Sequence, residues 1–239
     1  MEIFTKKDEQ LLTSPEAESS KGMQRRQFLR YAGVGTAAVG LFAAEACKKD
    51  RSSYTGVYLG SGDIGILNYA YALEQLEAAF YTQVVANTAF ATIFSADEQA
   101  LITDVRNHEV LHREFFKAAL GTSAIPSLAV NLTSINFAQR ASVLAAAKAF
   151  EDLGVSAYNG AGYLIQSPTY LTLAGKIVSV EARHAAYFRD LVSPNTFVGS
   201  DVVNISVNGL EYDMTPTAVL AKASAYITTP INASDLPTS

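Results

Sequence analysis

Between about Asp63 and Leu191 the chain falls into four long stretches in which apolar residues recur every three or four positions. That period stacks them on one face of a helix. The first predicted helix runs from about Asp63 to Val85, with Ile66, Leu67, Ala70, Leu73, Phe80, Tyr81 and Val84 on its apolar arc. The second opens at Ser95-Ala-Asp-Glu98, a capping box in which each of the two outer side chains accepts the other's backbone N–H. It ends near Leu120, with Gly121 available for a left-handed cap. Its inner stripe reads Ile102, Val105, Glu109, His112, Phe116, Ala119. The third covers roughly Phe137 to Ile165, with Leu144, Glu151, Val155 and Tyr158 on one side. The fourth begins at the cap and first-turn pair Ser167-Pro168 and stops before Pro194, with the stripe Ala174, Ile177, Glu181, His184, Phe188, Leu191.

The connections set the topology. Residues 121–136, with Pro126 among them, separate the second and third helices. Extended chain covers ~3.3 Å per residue, enough to run the length of a ~25-residue helix. An all-α four-helix bundle with a long crossover between helices 2 and 3 follows, over residues 61–193. Residues 48–60 are polar and Gly/Ser-rich and read as a linker. Residues 194–239 form a C-terminal extension. There Val203, Ile205 and Val207 alternate up to Asn208-Gly209, and Leu210, Tyr212 and Met214 alternate after it, which predicts a small hairpin. Thr215-Pro216 then starts a short helix to about Tyr226, and the last dozen residues read as a loose tail.

The apolar stripes carry misplaced charges. Glu109-Val-Leu-His112 and Glu181-Ala-Arg-His184 repeat one spacing, and three positions on a helix place both side chains on one face. The first helix offers Glu74, with Glu77 as a rival nearer the centre of its arc, and the third offers Glu151. A carboxylate on the inner face of a bundle is costly unless paired or bound to metal, and Lys148 is the only basic residue close to these positions. Two Glu-x-x-His turns, plus one glutamate from each of two other helices, are how such a bundle holds a pair of iron or manganese ions. Asp152, beside Glu151, shares a stripe with Ser156 and Asn159 and is expected to face water. His108 is expected to point away from Glu109 as a partly exposed or outer-sphere histidine, and Tyr81 and Tyr158 to be core residues that could lie near the site.

Composition changes the picture mainly at the N-terminus. Arg25-Arg26-Gln27-Phe28-Leu29-Arg30 resembles a twin-arginine export signal, and a Gly/Ala-rich apolar run from Tyr31 to Ala43 follows it. That run is shorter than the ~20 residues of a membrane-spanning helix. Residues 1–47 are therefore read as a targeting segment, with Ala44-Glu45-Ala46 as a cleavage site. Cys47, the single cysteine of the chain, stands where it could be lipidated as a membrane anchor. The expected location is extracytoplasmic or periplasmic. From Lys48 onward the chain holds 12 basic and 17 acidic residues, the whole net charge of −5. With no basic stripe, nucleic acid is excluded as an expected partner.

On these residues the chain resembles the ferritin-like superfamily, specifically exported ferritin-like domain proteins related to desiccation-associated proteins, over about residues 60–195. The resemblance implies Glu74, Glu109, His112, Glu151, Glu181 and His184 as ligands of two Fe or Mn ions, the glutamates of helices 2 and 4 bridging them. It favours Glu74, with Glu77 as an outer-sphere or additional ligand, because the first-helix ligand of such proteins is usually followed seven residues later by a tyrosine, here Tyr81. It implies redox activity on O2 or H2O2 as an oxidase, peroxidase or catalase, or else an iron-binding, stress-protective protein with little turnover. One cysteine cannot build a four-cysteine iron module. Met1, Met23 and Met214 all lie outside the bundle, so no haem is expected. Iron and manganese stay equally open, as do the electron donor and the assembly, a homodimer included.

Overall fold

Two helical hairpins grow from these stripes. The computed structural model describes residues 55–238, so the segment read as an export signal and Cys47 lie outside the described residues. Helix α1 (Gly62–Ala86) packs along α3 (Ala96–Leu120), and the turn between them holds the short α2 (Phe90–Ile93). Helix α4 (Arg140–Gly162) packs along α5 (Pro168–Val192). The capping box at the start of α3 forms as its residues dictate, with Ser95 N–H donating to Glu98 Oε2 at 2.8 Å and Glu98 N–H to Ser95 Oγ at 3.3 Å. Ser167 caps α5, with Pro168 in its first turn. The third bundle helix is shorter than the apolar pattern implied. Phe137 and Leu164 are buried, but from the turns that flank α4.

Helix α1 is the centre of the molecule. Every residue from Gly65 to Ala78 is buried, because the crossover of residues 124–139 covers the face that the other helices leave open. Two buried amides fasten it there. Asn68 Nδ2 donates to the carbonyls of Leu59 and Ser123, each at 2.9 Å, and its Oδ1 accepts the Ile125 N–H at 2.9 Å. Gln75 Oε1 accepts the Leu128 N–H at 2.8 Å. These contacts satisfy backbone groups that a buried irregular segment would otherwise leave orphaned.

The ends of the helices fix the directions. Arg140 Nε donates to Glu98 Oε1 at 3.1 Å, which joins the start of α4 to the start of α3, so the two run parallel. The Asp63 carboxylate accepts the N–H groups of Gln166 and Ser167, both at 2.8 Å, and ties the start of α1 to the start of α5. The crossover thus travels the length of the bundle.

The C-terminal extension departs from expectation in one respect. The hairpin around Asn208-Gly209 exists in minimal form, one antiparallel bridge between Val203 and Glu211, with Gly209 at φ 69°. Ile205, Val207 and Leu210 stay exposed, since two strands without a third or a covering helix are marginal. Helix α6 (Pro216–Ala223) follows, with Thr215 at its cap. The last residues are not loose. Strand β2 (Ile231–Asn232) pairs in parallel with β1 (Val57–Tyr58), Asn131 N–H donates to the Tyr226 carbonyl at 2.7 Å, and Leu236 is buried. A pairing two residues long has too few alternations to be read from a sequence. Strand β1 itself falls inside the stretch expected to be a linker.

The extension crosses α4 at Gly160, where an added Cβ would come within 1.9 Å of the Met214 carbonyl oxygen, while Met214 N–H donates to Ser156 O at 3.0 Å. Gly160→Ala must lift this strap and should lower the melting temperature by roughly 3–10 °C. Gly175, exposed on α5, has nothing within 4 Å of an added Cβ. Gly175→Ala should raise the melting temperature by roughly 1–4 °C through helix propensity alone. Thermal melts of both variants check the pair, and shifts of the same sign would contradict the packing described.

Candidate metal centre

Glu74 in α1, Glu109 and His112 in α3, Glu151 in α4, and Glu181 and His184 in α5 all project inward at mid-height. The four glutamates are fully buried, and His184 is 5 % exposed. Their donor atoms gather in two overlapping sets, Glu74, Glu109, His112 and Glu181 in one and Glu109, Glu151, Glu181 and His184 in the other. Within each set one donor atom per residue lies within 4.8 Å of all the others. Glu109 and Glu181 belong to both, so the arrangement has the form of two cation positions sharing two carboxylates.

His112 Nδ1 stands 2.9 Å from Glu181 Oε1, 3.4 Å from Glu109 Oε2 and 3.6 Å from Glu74 Oε2. His184 Nδ1 stands 2.9 Å from Glu109 Oε1 and 3.3 Å from Glu151 Oε2. None of these approaches has hydrogen-bond geometry. Glu74 Oε2, both oxygens of Glu109, Glu151 Oε2, both oxygens of Glu181, and the Nδ1 atoms of His112 and His184 are buried without a hydrogen-bond partner. Each such atom costs about 1–3 kcal/mol if left so. Their lone pairs converge, which is what a coordinated cation requires. Carboxylate oxygen and imidazole nitrogen suit iron and manganese, so the residues present fit a dinuclear ion pair.

Around this set stands a second layer that sequence reasoning saw only in part. Tyr81 Oη donates to Glu151 Oε1 at 2.5 Å, and Tyr158 Oη donates to Glu74 Oε1. Each tyrosine occupies one oxygen of a carboxylate on another helix and leaves the second oxygen for the centre. Both tyrosines lie seven residues after a glutamate of their own helix, Glu74 or Glu151, a repeat that could have marked both. His108 is exposed and stands outside the donor sets, as expected, but it reaches across to α5. Its Nδ1 lies 2.9 Å from His184 Nε2, with the rings within 9° of parallel. If Nδ1 of His184 serves a cation, Nε2 holds the proton and His108 accepts it. Asp152 is held by Arg189 Nη1 at 2.7 Å and Lys148 Nζ at 3.1 Å, rather than left to water.

The electrostatics follow from burial and crowding. Burial, and then Glu181, push the Glu74 acid well above the ordinary carboxylate range. Burial, and then Glu181 and Glu109, do the same to Glu77, which is 4 % exposed and lies beside the donor sets without belonging to either. Burial raises Glu151 to about 8 and lifts Glu181 as well. Glu109 is the exception. Burial pushes it up, but His112 and His184 together outweigh that and hold it at about 2. Burial pulls His184 down, yet Glu151 and Glu109 carry it up to about 10, and Glu109, Glu181 and Glu74 raise His112 likewise. Burial, and then the phenol's own carboxylate partner, keep Tyr81 and Tyr158 protonated as donors.

Residues 62–194 match the ferritin-like domain family, and the chain belongs to it. No curated protein is similar enough to the chain to be matched to it.

These shifts predict how the metal-free protein responds to pH. Glu151 moves from 4.5 unfolded to about 8 folded, so its contribution is complete below 4.5 and is lost as pH rises through 8. His184 moves from 6.5 to about 10 and behaves likewise, one step higher. Glu109 moves the other way, and its contribution is lost as pH falls from 4.5 towards 2. Metal-free protein should therefore be most stable near pH 5 and should melt progressively lower towards pH 8 and 10. Melts after chelation check this, and a melting temperature that rises from pH 5 to 8 would contradict it.

Proposed function

We propose that this ferritin-like domain protein is exported by the twin-arginine route, anchored through a lipid on Cys47, and holds two iron or manganese ions that act on O2 or H2O2. The observation that carries the metal reading is the convergence of buried, unpartnered donors from all four bundle helices on two positions sharing Glu109 and Glu181. Two such ions, when bound, supply a two-electron change to a small oxidant.

Glu109 and Glu181 belong to both donor sets and would serve both ions. Glu74 with His112, and Glu151 with His184, would complete the two ends. Tyr81 and Tyr158 fix the rotation of Glu151 and Glu74 through their hydrogen bonds. His108 orients His184. Burial keeps bulk water from the four glutamates, while the His112 side chain is 13 % exposed and that of His184 6 %. A centre enclosed to that degree favours a diatomic or peroxide substrate over a large organic one. Export and anchoring would depend on Arg25, Arg26 and Cys47.

Elemental analysis of protein purified after native export should give two ions per chain, and such protein should consume O2 or H2O2. Two tightly held ions with no consumption of either would replace the redox reading with iron binding or stress protection at low turnover. One ion or none in correctly folded protein would remove the dinuclear reading altogether. Glu109→Ala should lose both ions. His108→Ala should weaken a single ion by roughly 10–100-fold, the usual effect of removing the outer partner of a histidine ligand. A titration that showed both ions equally weakened would contradict the assignment of His108 to one side.

Export has its own test. Changing Arg25 and Arg26 together to Lys should strand the precursor in the cytoplasm, and Cys47→Ser should release the mature protein from membranes. Fractionation reads both, and membrane association unchanged in Cys47→Ser would exclude the lipid anchor.

A further inference from the structure

The two halves of the centre match each other through an approximate twofold relation. Glu74 and Tyr81 on α1 correspond to Glu151 and Tyr158 on α4, and Glu109-His112 on α3 corresponds to Glu181-His184 on α5. On the helices that carry the tyrosines, one position near the centre breaks the match. Three residues after Glu74 stands Glu77, and three residues after Glu151 stands Gly154. The two are neighbours across the bundle. A Cβ added at Gly154 would lie 3.1 Å from Glu77 Oε1 and 3.3 Å from Glu181 Oε2. The glycine therefore leaves a space that two carboxylate oxygens line.

Glu77 is 4 % exposed, and among the described residues it has no hydrogen-bond or ion-pair partner. The largest charge effects on it come from Glu181, Glu109, Glu151 and Glu74, all carboxylates. A carboxylate in this setting is unfavourable as an anion unless a cation meets it. An apolar residue would have filled the same volume without that cost.

We propose that Glu77 is a seventh protein ligand of the centre, reaching one of the two cations through the space that Gly154 leaves and making the two positions unequal. The inference rests on the dinuclear reading above. It adds that one ion meets an extra carboxylate and is held more tightly than an otherwise matched site would hold it. Gly154 is the positioning residue for that ligand, because any side chain there would displace it.

The test is a titration of metal-free full chain with Mn2+, free ion being read by electron paramagnetic resonance, for wild type, Glu77→Gln, Gly154→Ala and the double variant. Wild type should bind two ions. Glu77→Gln preserves the volume and should weaken one ion by roughly 10–100-fold, leaving the other within about threefold. Gly154→Ala should reproduce that single loss, and the double variant should be no worse than Glu77→Gln, as expected when one change acts through the other. Melts of the metal-free variants show whether each is folded, and Glu77→Gln should melt no lower than wild type, since it removes a buried acid. Wild-type affinity for both ions in folded Glu77→Gln, or an equal weakening of both, would overturn the proposal. A double variant worse than Glu77→Gln would show that Gly154 acts through Glu181 and would overturn its role. Wild type that bound no metal would instead bring down the dinuclear reading on which the proposal stands.

Discussion

Mutual repulsion among five buried carboxylates is the constraint to which the rest of the structure answers. Glu74, Glu77, Glu109, Glu151 and Glu181 meet at the middle of an apolar bundle with only His112 and His184 as potential cations among them. Without metal the cluster holds together by keeping protons, and only Glu109, between the two histidines, is strongly acidic. The centre therefore does not hold the metal-free bundle together. Cohesion comes from elsewhere: the aromatic cluster of Phe80, Phe137 and Phe150, the amides of Asn68 and Gln75 under the crossover, and the Asp63 and Glu98 contacts at the helix ends. With these in place four helices can present their acids to one another without splaying apart.

The same division explains which parts could be read from the sequence. Glu-x-x-His is legible because ligand spacing coincides with the helical period, and the capping box at Ser95 because its partners are three residues apart. The crossover was legible from its length alone. Its fastening was not, since Asn68 and Gln75 sit on a face of α1 that helical periodicity assigns to solvent and that only the crossover covers. His108 was legible as an outer-sphere histidine, but its partner was not, for a related reason. One position before Glu109 it is turned about 100° around α3, away from its own helix's ligands, yet it meets His184 of α5. Contacts between helices are not written in the period of either one.

Glu74 and Glu77 show how two partial signals can both describe the molecule. Periodicity placed Glu77 deep on the apolar arc, and it is buried. The seven-residue spacing to Tyr81 favoured Glu74, and Glu74 lies in a donor set with His112. Glu77 could stand beside Glu74 as an outer-sphere or additional ligand, although a matched bundle holds one carboxylate per helix. Gly154 removes that restriction by withdrawing a side chain from the opposite helix. No inspection of α1 alone could have found this, since the information lies on α4.

Departures from the twofold match fall at two places, and both bear on the centre. His108 stands before Glu109 where Val180 stands before Glu181, and Glu77 stands where its counterpart is Gly154. A matched site would bind two ions in equivalent surroundings, and each would respond alike to an incoming oxidant. Here, among the described residues, His184 alone has an outer histidine, and that histidine is exposed. The two halves of the centre are therefore bordered differently. Burial encloses the acids of both halves, so enclosure and asymmetry have separate structural causes. The first belongs to the bundle, and the second to a histidine and a glutamate that break its symmetry.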